Sequence, residues 1–506
     1  MFCRQAVLLC RLLLFAYNTS SFNHKKRYFM YSKLLLTSAL WLATASVHAD
    51  TLPPKVEQML NESSPEIEFN RTPDIKPTEN TPPANDADGE TLNISSEELQ
   101  KQPALLKRAF FGALATGNVA GVKILLPWYR NLPDGNDEFA LNLADAMLAQ
   151  DKGDYDNAVE SYQKVLAQQP DAPSIQMGLA QTLFADHRNS EAKQILTELH
   201  NRSDLPENFR QYAGSYLSAI KKRNDWTFNI NAYYTQDNNI NSTPNQRKVG
   251  NWTLGEPESA HGIAYYGNVN KDTYLGKQWS LRFGTDVFGK YYWDNRKYDD
   301  LSARVKLGVA HQTARSETAI LPYFERRWYG GKEYAAEKGL TLEWSYWFTP
   351  KNQVLLSGEH SWQKHDTRSF LDGKNSNLSA TWLFLSSEKQ YWTLGIDLTR
   401  KTAQDSSDAY RRKGIRLGWT QYWGNTVGSS LGIGTAQRVY DAPNFPFNYI
   451  RKDREHFASL SLWNNRWQFG GITPRLVFRW TKVSSNHPFY GDYSKKNVFI
   501  QMNKAF

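Results

Sequence analysis

The sequence predicts an α-helical repeat domain followed by a transmembrane antiparallel β-barrel of about 14 strands. Three observations carry that expectation. Between residues 101 and 225 apolar residues recur at helical spacing and repeat after 34 residues; from Trp226 onward the spacing becomes alternate; and 15 of the 17 tryptophans lie after residue 225.

The chain has 506 residues and a mean hydropathy of -0.63, too polar for a bundle of membrane helices. Its longest apolar run, residues 34–45, falls short of the roughly 20 residues a spanning helix needs. That run reads as the core of an export signal. Lys33 precedes it and Val47, His48 and Ala49 follow, so cleavage is expected after Ala49, with Asp50 as the first mature residue. A second apolar stretch, residues 6–17, lies upstream, and Met30 is therefore expected to be the true start. Both cysteines, Cys3 and Cys10, belong to residues 1–49. The mature chain is expected to lack disulfides, thiol catalysis, thiolate metal sites and a lipoprotein anchor. Losing this leader takes the net charge from +9 to +3, so the basic balance is no argument for nucleic acid as a partner.

Residues 50–100 hold 12 acids, 3 bases and 7 prolines, a composition that buries too little apolar surface to offset the entropy of ordering. They read as an acidic flexible linker. Residues 101–225 then read as the helical domain. Ala158, Tyr162 and Val165 recur as Ala192, Leu196 and Leu199, while Leu179, Ala180 and Leu183 supply the first helix of the second unit. Gly153, Asp154 and Tyr155 make a turn, Pro170 ends a helix, and residues 206–222 form a last helix that caps the stack. The pattern resembles the tetratricopeptide repeat, whose stacks present a groove for extended peptide.

Residues 226–506 read as the barrel. Leu301, Ala303, Val305, Leu307 and Val309 alternate with Ser302, Arg304, Lys306, Gly308 and Ala310; Leu340, Leu342, Trp344, Tyr346 and Phe348 form a second such set. A soluble sandwich also alternates, but its dry core could not hold the charges on the inward set, whereas a wet lumen can. The lumen-lining candidates are Arg282, Asp286, Arg304, Lys306, Glu343, Asp397 and Arg416. Tryptophans near strand ends suit the aromatic girdles of a membrane barrel. Six short connections, at 270–278, 312–317, 348–353, 385–390, 423–427 and 463–467, are expected to alternate strictly with longer ones, among them 236–258, 364–376, 440–455 and 483–495. Both barrel ends then lie in the periplasm with the helical domain, which joins directly at Asp225 and Trp226. A last strand, residues 496–506, carries Val498, Ile500, Met502 and Phe506 on one face. Such a strand resembles the signal read by the bacterial barrel-assembly machinery.

An export signal, a short tetratricopeptide-like domain and a barrel of this size, in that order, resemble the surface lipoprotein assembly modulators of Gram-negative bacteria. The resemblance spans residues 101–506 and implies an outer-membrane factor that delivers specific lipoproteins, iron- or haem-capture proteins among them, from the periplasm to the cell surface. It implies the barrel as path or gate and the helical domain as a contact site, with the assembly machinery and periplasmic chaperones as partners. Residues 226–506 carry 37 bases and 24 acids, which suits an acidic client or the phosphates of outer-membrane lipid and lipopolysaccharide. The rival reading is a tetratricopeptide-barrel exporter of an acidic polysaccharide, although such exporters carry longer repeat arrays. No enzyme is expected. His187, His200, His261, His311, His360, His365, His456 and His487 form no H-E-x-x-H pattern, and neither a nucleophile elbow nor a phosphate-binding loop occurs. No cofactor or metal is expected.

Overall fold

The structure, a computed structural model, describes residues 96–133, 137–249, 252–253, 255–424, 426–444, 448–487, 490 and 492–505. The leader and signal of residues 1–49, the linker up to residue 95, and Phe506 lie outside the described residues.

After a short α1 (Ser96–Gln100), helices stack in antiparallel pairs: α2 (Pro103–Ala115) with α3 (Val119–Arg130), α4 (Glu138–Lys152) with α5 (Tyr155–Gln168), and α6 (Pro173–Ala185) with α7 (Asn189–Asn201); α8 (Glu207–Arg223) closes the stack. The boundaries follow from local chemistry. Asn118 accepts from the Gly121 amide at 2.9 Å to cap α3, and Asp137 accepts from the Phe139 amide at 3.1 Å to cap α4. Gly153 ends α4 in the left-handed conformation at φ 69°, where a side chain would be strained. Pro173 starts α6, at a position whose amide needs no partner. The 34-residue repeat maps onto the core: Tyr162, Val165, Ala192, Leu196 and Leu199 lie in one apolar cluster between α5, α6, α7 and α8, and Ala158 is buried as well. A second cluster, around Phe110, Val122 and Tyr129, joins α2, α3 and the start of α4. The first helix pair, whose repeat pattern is faint in the sequence, thus packs as the others do.

The barrel follows immediately. Its strands are β1 (Thr227–Asp237), β2 (Ala260–Gly276), β3 (Trp279–Tyr292), β4 (Asp300–Gln312), β5 (Ser316–Tyr329), β6 (Lys332–Thr349), β7 (Asn352–His365), β8 (Gly373–Ser387), β9 (Gln390–Lys401), β10 (Tyr410–Trp423), β11 (Val427–Asn444), β12 (Tyr449–Asn464), β13 (Thr473–Ser485) and β14 (Tyr493–Ala505). Each pairs antiparallel with the next, and β14 pairs with β1 to close the sheet. A small ribbon, Lys248–Val249 with Trp252–Thr253, stands outside it.

The alternation sorts side chains as expected. Val305, Leu307 and Val309 are exposed on the outer wall, while Ser302 and Ala310 are buried on the inner one. Exposed Trp279, Trp392 and Trp423 sit near the end that carries the helical domain, and Trp293 and Trp362 near the other. The expected strict alternation of short and long connections fails in detail. β5 and β6 are joined at the far end by Gly330 and Gly331 alone, both at positive φ (58° and 76°), a tight turn that L side chains seldom adopt. The segment expected as a long loop at 440–455 is mostly strand, because β11 runs to Asn444 and β12 begins at Tyr449. The turn expected at 270–278 shrinks to Lys277 and Gln278, since β2 extends to Gly276. The one expected at 463–467 spans residues 465–472, with a short 3-10 turn at Asn465–Trp467. Strand order and count survive these shifts because a hairpin that extends by a pair of residues leaves its neighbours' partners unchanged.

Candidate functional site

The inner wall carries ion pairs stacked along the barrel. Near the helical domain, the Arg282 guanidinium donates to Asp272 at 2.7 and 2.9 Å and to Glu317, with Glu343 3.9 Å away. Lys306 pairs with Asp286 at 2.9 Å, and the Tyr266 hydroxyl donates to the same carboxylate at 3.2 Å. Farther along, Arg304 bridges Glu325 at 2.7 Å and Glu359 at 2.8 Å and lies over the Tyr323 ring at 4.0 Å; the Tyr323 hydroxyl donates to Glu337 at 2.6 Å. On the opposite strands, Arg416 holds Asp397 at 2.6 and 3.0 Å, and the Ser379 hydroxyl donates to Asp397 at 3.0 Å. Nearer the far rim, Glu455 accepts from Arg412 at 2.9 Å and pairs with Arg438 at 2.6 Å.

Of the candidates read from the sequence, the structure thus brings together Arg282 with Glu343, Asp286 with Lys306, and Asp397 with Arg416, and places Arg304 among carboxylates that were not singled out. Glu325, Glu337 and Glu359 were missed although each occupies an inward alternate position. Parity along the strand marks them as inward, but only the register between strands shows that they converge on one guanidinium. In the last strand, Val498 is exposed toward the outer wall, with Ile500 and Met502 half-buried on the same face.

The helical domain is fastened to the barrel turns. Asp186, in the turn between α6 and α7, accepts from Gln278 Nε2 at 2.7 Å and from the Ala314 amide at 3.3 Å. Arg315 donates to the Lys152 carbonyl at 2.6 Å. At the end of α8, Arg223 packs on the Phe184 ring at 3.6 Å and donates to Asn189 Oδ1 at 2.9 Å. Beneath it lies a cavity of about 320 Å³ lined by Arg223, Asp225, Lys271, Asp272, Arg282 and Glu343, among others. Burial pushes the Asp186 carboxyl up, opposed mainly by the hydrogen bond from Ala314.

The neighbouring His187 is buried and held down to about 3, chiefly by burial and secondarily by the Arg223 charge. Because its folded value lies below the ordinary 6.5, the unfolded chain takes up the proton first as pH falls. The helical domain should therefore keep its full stability above pH 6.5 and lose it progressively toward pH 3, by about 2 kcal/mol at pH 5. Melting followed by circular dichroism at 222 nm checks this. His187→Asn, which tolerates the left-handed backbone at φ 58°, should flatten the pH slope.

A closed sheet with an apolar, tryptophan-edged outer wall, a charged interior and a helical-repeat domain at the end that holds both barrel termini defines an outer-membrane β-barrel protein with a periplasmic domain. Residues 226–506 match the family described as surface lipoprotein assembly modifier, and residues 92–196 match its N-terminal tetratricopeptide repeats. The chain is 34% identical over 486 residues to surface lipoprotein assembly modifier 1 of Haemophilus influenzae, covering 94% of this chain and 98% of that one. It is 33% identical to surface lipoprotein assembly modifier 1 of Neisseria meningitidis (83% and 86% covered) and 24% identical to the hemophilin secretion modulator of Acinetobacter baumannii (82% and 89%). The chain belongs to the surface lipoprotein assembly modifier family. In the membrane, Leu307→Arg should place a guanidinium toward lipid at a cost of about 2 to 4 kcal/mol near the midplane and fewer near the rims. Heat-modifiability on gels should show less folded barrel for this variant than for Leu307→Val.

Proposed function

We propose that this chain carries specific lipoproteins from the periplasm to the cell surface. The helical domain selects the client and the barrel gives it passage in extended form. The observation that supports this reading most directly is the fastening of the repeat domain to the barrel turns through Asp186 and Arg315. A client held by the repeats is thereby presented to the lumen and not to the open periplasm. Residues 1–49 serve as leader, 50–100 as tether, 101–225 as the selecting domain and 226–506 as the barrel. Arg282, Asp286, Arg304, Lys306, Glu343, Asp397 and Arg416 line the path, offering a passing chain alternating charges that no uncharged sugar or alkyl chain would need. Val498, Ile500, Met502 and Phe506 supply the signal that the barrel-assembly machinery reads. Lipopolysaccharide, membrane lipid and periplasmic chaperones complete the set of partners.

The names of the relatives point the same way: several refer to surface lipoproteins and one to hemophilin secretion. Iron- and haem-capture lipoproteins are accordingly the client class we favour over an acidic polysaccharide. The activity is transport without catalysis, and folding or partner binding outside draws the client through. To test it, a tagged haem-capture lipoprotein is expressed with and without the chain, and intact cells are treated with protease. Degradation of the tag only when the chain is present supports the reading; equal degradation in both strains refutes it.

A further inference from the structure

Hydrocarbon offers no partners to backbone N–H and C=O groups, so a membrane barrel is held shut by its ladders. β1 meets β2 along its whole length, from Thr227↔Asn270 to Asp237↔Ala260. β14 meets β13 likewise, from Thr473↔Asn503 to Val483↔Tyr493. Where β1 and β14 meet each other, the ladder starts at Asn229↔Ala505 and stops at Tyr233↔Gln501. Toward the outer rim β1 continues to Asp237 and β14 begins at Tyr493, with no ladder joining these stretches among the described residues.

Side chains hold that outer half together. The Tyr233 and Phe499 rings stack at 4.3 Å with 20° between planes, both buried. Lys495 Nζ donates to Asp237 Oδ2 at 3.1 Å and to the Asn239 carbonyl at 3.3 Å, and the two charged side chains are 3% and 1% exposed. A closure held by side chains where the ladder has stopped can part without the loss of that ladder. On the outward face beside it, Tyr234 and Val498 are exposed.

We propose that the outer half of the seam between β1 and β14 is a lateral exit for the acyl chains of the client, an inference that rests on the lipoprotein reading above. A lipoprotein's polypeptide and its acyl chains need different routes. An alkyl chain in the lumen would either meet water or strip it from the ion pairs of the inner wall, and both are unfavourable. A wall that parts only toward the outer rim lets the polypeptide use the lumen while the acyl chains slide into the outer leaflet, where they must finish. The laddered half keeps the barrel shut on the periplasmic side.

The sequence has no cysteine after Cys10, so introduced pairs are the sole thiols in the barrel. In full-length protein in the outer membrane, Tyr233→Cys with Phe499→Cys bridged by a short bismaleimide locks the seam, and Asp237→Cys with Lys495→Cys bridged in the same way is a second lock. Leu356→Cys with Ala380→Cys, partners on β7 and β8, locks a fully laddered pair as control. The probe is the tagged haem-capture lipoprotein used above, in its acylated form and with its acylated cysteine changed to serine. The seam lock should reduce display of the acylated probe to the background of cells lacking the chain, and the same cysteine pairs left unbridged should display it. The unacylated probe should still reach the outside, and the β7 to β8 lock should change nothing. Undiminished display of the acylated probe through a fully locked seam would overturn the proposal, and so would equal loss of both probes. If the unlocked barrel displayed neither probe, the delivery reading itself would fall and the exit with it. Hydrogen exchange gives a readout free of any client: amides of residues 234–237 and 494–500 should exchange faster than those of β7, and equal protection would contradict the exit.

Discussion

A barrel expressed behind its leader without residues 96–225 should insert as a heat-resistant outer-membrane protein and leave the client inside the cell. The barrel closes on its own ladders, and the two apolar clusters of the helical domain contain no barrel residue. Among the described residues, removing the domain costs the barrel the bonds from Gln278, the Ala314 amide and Arg315 at its periplasmic turns and the contact of Tyr274 with Asn189, none of them part of a strand ladder. Folding should thus be spared and delivery lost. Gel mobility before and after heating reports the first, and protease treatment of intact cells the second. Full surface display by the shortened chain would remove the helical domain from the mechanism and reduce it to a support.

Arg304→Ala should be the most damaging single substitution on the inner wall. One guanidinium there answers Glu325 and Glu359 at hydrogen-bond distance, with Glu337 at 4.0 Å. Without it, three carboxylates from β5, β6 and β7 lose the guanidinium that they share. Leaving a buried charge unpartnered costs about 3 to 5 kcal/mol, and the water of a lumen lowers that figure. The expected result is a fall in the temperature at which the barrel unfolds on gels. Adding Glu359→Gln should recover part of the loss, because it removes one of the repelling charges. A double variant no more stable than Arg304→Ala alone would show that the cluster's energy does not lie in this pair.

Much of this architecture is legible in the chain because the environment imposes a period on it. Lipid outside and charge inside force alternate residues apart in β4, where Leu307 and Lys306 fall on opposite walls, and close helix packing forces Ala158 and Ala192 into register 34 residues apart. Connection lengths are less legible. The turn at Gly330 and Gly331 and the extended β11 and β12 depend on how far a hairpin reaches above the wall, which neither period records. Pairings are the least legible. Arg304 meets Glu325 and Glu359 across strands that lie 21 and 55 residues away in sequence, and nothing in a single strand says which acid will stand opposite which base. Asp186 carried no signal at all: it is one acid in a helix turn, and its role depends on where Gln278 and Ala314 arrive.

The claim at the centre of this account is that a client traverses the lumen after release from the repeats. A photo-crosslinking residue placed at Ser302, buried on the inner wall, or at Leu307, exposed on the outer wall of the same strand, tests it in living cells. Irradiation during delivery of the tagged lipoprotein should link the client to position 302 and not to position 307. Crosslinks confined to position 307, or equal yields at both, would contradict passage through the barrel.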